Sequence, residues 1–153
     1  MIKVLDYEFL MILPDLLLKV LIATICGGII GYDREIKQKV AGLRTNILIC
    51  VGCTIFTASS FFISHTLSNN IDPTRIIGQI ITGIGFLGAG VIVKLDDKVI
   101  GVTTAAFIWV ISAIGVLIGC NFYILPIVLS LGMLVISKIF EKVETYIKNN
   151  IQK

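Results

Sequence analysis

Apolar residues fall in five long blocks separated by short polar stretches, and each block is close to the length needed to cross a bilayer. The blocks cover residues 16–32, 45–64, 76–93, 102–119 and 122–137. A spanning helix takes about 20 predominantly apolar residues, with a range of roughly 17–25. The pattern therefore predicts an all-α fold, a polytopic transmembrane helix bundle of about five spanning helices. Polar positions inside the blocks keep the helical period. In the second block they are Asn46, Cys50, Cys53, Thr57, Ser60 and Ser64, at alternating steps of four and three, which puts them on one face. In a membrane such a stripe turns inward and the apolar remainder meets lipid.

Small residues are spaced for close helix contact. Gly27-x-x-x-Gly31 lies in the first block and Gly115-x-x-x-Gly119 in the fourth. The third block carries Gly83, Gly85, Gly88 and Gly90 within nine uncharged residues. In water this density would argue against a helix. In lipid the backbone has no other partner, so the segment stays helical or breaks only where protein satisfies it. It is expected to be the packing centre of the bundle and the contact between copies in a homodimer or larger homo-oligomer. The alternative is a broken element lining a polar cavity. Trp109 falls mid-block, away from the interfacial aromatic belt, and is expected to pack within the bundle.

The polar stretches frame these blocks. Residues 1–15 hold Asp6, Glu8 and Asp15 but lack the basic start and small-residue site of a cleavable signal, and are expected to lie at the interface. Lys19 is placed to snorkel from the start of the first span. Residues 33–44 are the most highly charged stretch. Asp72-Pro73 reads as a helix start, with Asp72 as N-cap, and Arg75, Gln79 and Thr82 continue a polar line from it. Residues 95–101 are expected to form a tight polar turn. Ile136, Ile139, Phe140, Val143, Ile147 and Ile151 recur at steps of three and four, so 138–153 is an amphipathic tail following a transmembrane domain over 16–137.

Composition narrows the function. The chain is 56% hydrophobic and 15% charged with a mean hydropathy of +0.97, which excludes disorder and argues against a soluble domain. No basic face with interleaved aromatics is present, so nucleic acid is not an expected partner. If the spans alternate, ten of the 13 basic residues lie in 33–44, 94–101 and the C-terminal tail, on one side. The positive-inside rule then places the C-terminus in the cytoplasm and the N-terminus outside. Cys26, Cys50, Cys53 and Cys120 read as small packing residues, because Cys50-x-x-Cys53 lacks the further ligands of a zinc site. No nucleophile–base pair, phosphate loop or catalytic ligand cluster is visible, so an enzyme is not expected.

Five motifs in order carry a resemblance. They are Gly31-Tyr32-Asp33-Arg34-Glu35, Ala41-Gly42-Leu43-Arg44-Thr45, Asp72-Pro73-x-Arg75 with Gln79, Gly83-Ile84-Gly85-Phe86-Leu87-Gly88-Ala89-Gly90, and Gly101-x-Thr103-Thr104-Ala105-Ala106 with Trp109. From about residue 16 to 120 the chain resembles the MgtC/SapB family of bacterial membrane proteins, in a short form without the C-terminal soluble domain of its best-known members. Asp33 stands where the family usually has glutamate. The resemblance implies a multi-pass protein of the bacterial cytoplasmic membrane, linked to magnesium limitation, virulence-associated intracellular survival and restraint of the ATP synthase.

Two functions follow as expectations. One is a non-enzymatic regulator acting through membrane-protein partners such as the ATP synthase. The other is a small ion or solute transporter or channel. The candidate functional side chains are Asp33, Arg34, Glu35, Arg44, Asp72, Arg75, Gln79, Thr103 and Thr104. Arg34, Glu35 and Arg44 at one end, and Asp72 and Arg75 at the other, are expected to act either as gates or as ion-pair locks holding helix ends together. No cofactor is expected. Magnesium enters through the family label alone, since the carboxylates Asp15, Asp33, Glu35, Asp72, Asp96 and Asp97 form no ligand cluster in the sequence.

Overall fold

The computed structural model describes residues 2–67 and 72–151. Its elements are α1 (Ile2–Ile36), α2 (Leu43–Leu67), α3 (Thr74–Gly90), β1 (Val93–Leu95), β2 (Lys98–Ile100), α4 (Val102–Gly119) and α5 (Ile124–Ile151). Four helices, α1 from Ile12, α2 to Thr66, α4 and α5, are long and apolar enough to cross a membrane. With its 17 residues, α3 is only about 25 Å long at 1.5 Å per residue, shorter than a hydrocarbon core of about 30 Å. No break separates the N-terminal segment from the first span, since Pro14 is accommodated inside α1. Likewise α5 runs from the fifth span through the amphipathic tail as one helix.

Local chemistry sets the ends. Gln38, at φ 51°, closes α1: its N–H reaches Glu35 O at 2.9 Å, and the next N–H, of Lys39, reaches Arg34 O at 3.0 Å. This paired pattern is the Schellman stop. The same stop ends α4, where Asn121 at φ 69° donates to Ile118 O and Phe122 to Leu117 O. The polar turn expected at 95–101 is instead a hairpin, pairing Val93 with Ile100, Lys94 with Val99 and Leu95 with Lys98 around Asp96-Asp97. β-Branched residues on both arms favour this extended pairing. Gly101, at φ 91°, then turns the chain into α4 so tightly that a Cβ would strike Val91 O.

The packing centre lies among α1, α2 and α4. A Cβ on Gly27 would stand 2.8 Å from Ile47 Cα, and one on Gly31 2.8 Å from Leu43 Cα, so α1 and α2 meet backbone to backbone. Gly115 and Gly119 press α4 onto Cys50, Cys53 and Thr57 of α2 in the same way. The α2 polar stripe faces this centre: Asn46, Cys50, Cys53, Thr57 and Ser60 are buried and Ser64 half-buried. Thr54 Oγ1 lies 2.8 Å from Cys50 O and 3.0 Å from Gly115 O, sharing its proton between its own helix and α4.

Two expectations are corrected here. The glycine-rich third block is a continuous helix on the outside of the bundle. Only Ile84 and Gly88 of α3 are buried, and Gly83, Gly85 and Gly90 have no other heavy atom within 4 Å of a Cβ position. Glycine density measures how closely a backbone can be approached, and of these four glycines it is Gly88 that is approached, with the Ala105 methyl of α4 3.7 Å from its Cβ position. Trp109 is 57% exposed, because the face of α4 that packs inward carries Ile108, Ile111 and Ser112 instead. Parallel contact joins α1 and α5, through Tyr123 to Asp15 at one end and Lys37 to Glu141 at the other.

Candidate functional site

At the end of the bundle where α1 stops and α2 and α4 start, charged side chains converge on two centres. In the first, Lys37 Nζ lies 2.8 Å from Asp33 Oδ2, one turn back on α1, and 2.6 Å from Glu141 Oε1 on α5. Burial disfavours the Lys37 ammonium, but hydrogen bonds and charge from the two carboxylates outweigh it and raise its pKa above the ordinary lysine value. The second centre is Arg34, 2% exposed, whose guanidinium stacks 4.2 Å from the ring centroid of Phe107 on α4. Nε and Nη2 of Arg34 have no hydrogen-bond partner among the described residues. Thr104 is buried one turn before Phe107, whereas Thr103 is exposed.

The lock expected among Arg34, Glu35 and Arg44 is replaced by a different one. No ion pair joins these three among the described residues. Glu35 Oε2 instead accepts the N–H of Leu43 at 2.8 Å, so the end of α1 caps the start of α2. Gly42 is required beneath that bond, since a Cβ there would occupy the carboxylate's place. Asn46 completes the corner, donating both amide protons to Ala41 O and Gly42 O at 2.9 and 2.8 Å. Arg44 points away from all of this and lines a groove between α2 and α3. The physical cause is rotation: consecutive helical residues lie about 100° apart, so Arg34 and Glu35 cannot serve one partner.

At the opposite end, Asp72 accepts from the Thr74 N–H at 2.9 Å and from the Thr74 hydroxyl at 2.7 Å. These bonds, first the hydroxyl and then the N–H, hold its carboxyl below the usual range, with Arg75 adding a smaller charge effect. No ion pair links Asp72 with Arg75 among the described residues, and both are exposed, as is Gln79. The Ser60 hydroxyl donates to Pro73 O at 2.7 Å and ties α2 to the start of α3.

Sequence spacing alone missed a third group at this end. Lys19 does not snorkel: it is 6% exposed and lies 2.6 Å from Asp15 Oδ2, while the Tyr123 hydroxyl donates to Asp15 Oδ1 at 2.7 Å. Burial first, and then the bond to Asp15, push the Tyr123 phenol up to about 12. The i, i+4 spacing of Asp15 and Lys19, repeated by Asp33 and Lys37, was the available signal. Among the described residues no three His, Cys, Asp or Glu side chains are grouped to hold a metal ion.

Four apolar spanning helices with buried charges at both ends define an α-helical multi-pass membrane protein. Within that class, the chain belongs to the MgtC family, whose model matches residues 20–146. It is 37% identical over 139 residues to the protein named "Putative magnesium transporter YhiD" of Escherichia coli (strain K12), covering 88% of this chain and 65% of that one. It is 46% identical over 99 residues to Protein MgtC of Brucella abortus (strain 2308), covering 65% and 40%. With Protein SapB of Bacillus subtilis (strain 168) it shares 43% over 115 residues, covering 72% and 50%. The chain thus spans between two fifths and two thirds of the length of these relatives. No solved structure matches it.

Proposed function

We propose that this protein is a non-enzymatic regulator of the bacterial cytoplasmic membrane, linked to magnesium limitation or membrane energetics, which works by lateral helix contact with another membrane protein. The observation that carries the proposal is the outer face of α3. Gly78, Thr82, Gly85 and Ala89 follow one another at steps of four, three and four, and all are exposed. Among the described residues, no heavy atom beyond the local helix backbone lies within 4 Å of a Cβ position on Gly78 or Gly85. Small residues on an open membrane face let a second helix approach closely, where packing and weak hydrogen bonds hold it. A second copy of this chain, giving a homodimer, is the first partner of that geometry. The ATP synthase is the further partner that the family resemblance points to.

A second reading, a magnesium- or proton-linked transporter, is favoured by one specific observation: Lys19, Asp33 and Arg34 all lie within Ile12–Ile36, the stretch of α1 long and apolar enough to cross a membrane. Intramembrane ionisable residues mark ion paths in many transporters, and the name of the Escherichia coli relative points the same way. Flux of magnesium and protons into sealed proteoliposomes separates the two. The regulator predicts no flux above empty liposomes from folded protein, and loss of partner co-purification on Gly85→Leu. Saturable flux that Arg34→Gln abolishes in a folded protein would establish the transporter instead.

A further inference from the structure

A groove of about 720 Å³ runs down the outside of the bundle between α2 and α3, with Ile108 of α4 at its floor. It is separate from the outer α3 ridge, because Gly83, Ile80 and Leu87 turn toward α2 while Gly85 and Ala89 turn away. Gly52 on α2 and Gly83 on α3 both line it, and neither has another heavy atom within 4 Å of a Cβ position. Two missing side chains therefore widen the slot from both walls. The rest of the lining is apolar apart from Gln79 toward one end and Arg44 with Thr45 at the other. Arg44 is exposed and makes no ion pair or hydrogen bond among the described residues.

We infer that this groove holds one phospholipid of the bilayer, with an acyl chain between Gly52 and Gly83 and its phosphate on the Arg44 guanidinium. The walls favour a hydrocarbon chain as the occupant: between the polar residues at the two ends the lining is apolar, and the two glycines leave room for a chain at membrane depth. Charge argues for the headgroup. Arg44 stands in the first turn of α2, where the apolar groove gives way to the charged 33–44 stretch, and an arginine fork binds phosphate in two-point fashion. The hairpin lysines Lys94 and Lys98 belong to the same end of the bundle, so anionic lipid is attracted there over zwitterionic lipid.

The test reconstitutes the full chain in vesicles of equal phosphatidylglycerol and phosphatidylcholine, extracts it in mild detergent, and counts retained lipid by native mass spectrometry. Wild type retains one lipid per chain, enriched about tenfold in phosphatidylglycerol. Gly83→Leu, and independently Gly52→Leu from the opposite wall, fill the slot and lower retention at least tenfold with helicity unchanged. Arg44→Gln keeps a lipid but brings the two headgroups toward equal retention. Wild-type retention no greater than that of both filled variants overturns the site, and an unchanged headgroup ratio in Arg44→Gln overturns the phosphate contact. A loss of dimer on Gly83→Leu with lipid retention unchanged would assign the groove to a second copy and overturn the proposal as well.

Discussion

At Gly119 a Cβ would collide with Thr57, and at Gly115 with the Cys50 carbonyl, whereas at Gly85 it would enter open space. One residue type thus serves opposite ends, and substitution separates them. Gly119→Val is expected to force α4 off α2 at a cost of about 3 kcal/mol, the upper range for overpacking a tight core. Gly85→Ala is expected to be neutral or to stabilise the monomer by about 0.5–1 kcal/mol through helix propensity. Thermal unfolding in detergent measures both. The Tyr123–Asp15 bond carries a pH signature. Because the folded phenol titrates at about 12 against an ordinary value near 10, its stabilisation is complete below pH 10 and is lost as pH rises toward 12. Tyr123→Phe should therefore cost about 1–2 kcal/mol at pH 8, as expected for a hydrogen bond to a charged group. The difference from wild type should shrink above pH 10. Equal differences at pH 8 and 11.5 would contradict the assignment.

Among the elements, α5 and α3 differ in what anchors them. The C-terminal half of α5 is exposed along most of its length, and Lys37 to Glu141 is the ion pair joining that half to α1 among the described residues. A partly exposed pair contributes about 0.5 kcal/mol, too little to shift global melting but enough to set how often the tail swings free. Glu141→Gln is expected to quicken protease cleavage within 138–151 about twofold while the melting temperature stays put. Lys37 remains paired with Asp33 in that variant. For α3, Asp72 acts as a cap, so Asp72→Asn, which keeps an acceptor for the Thr74 N–H, should leave the melting temperature unchanged. Asp72→Ala should lower it. A fall with Asn equal to that with Ala would mean that charge, and not capping, is what the position supplies.

For the molecule as a whole, alternation of α1, α2, α3, α4 and α5 places Asp15, Asp72 and Tyr123 at one end and Arg34, Arg44 and Glu141 at the other. The bias of basic residues toward the second end predicts its cytoplasmic location. Single cysteines at Lys3→Cys and Lys148→Cys, in a background lacking native cysteines, test it with a membrane-impermeant maleimide. Label should reach position 3 from outside intact cells and position 148 only after permeabilisation; the reverse pattern would invert the topology. Such a prediction needs no tertiary structure, and neither did the helices themselves. In lipid a helix satisfies its backbone within its own segment, so apolar length and the polar stripe from Asn46 to Ser60 suffice to predict a helical bundle and the inward face of α2. Partner choice is another matter. Gly27 and Gly83 sit in similar apolar surroundings along the chain, yet one touches Ile47 and the other meets nothing. Arg34 and Glu35 are neighbours, yet one stacks on Phe107 and the other caps α2. Helical spacing says which residues share a face, but which helix that face meets is decided by the joint packing of all five, and only the tertiary structure contains it.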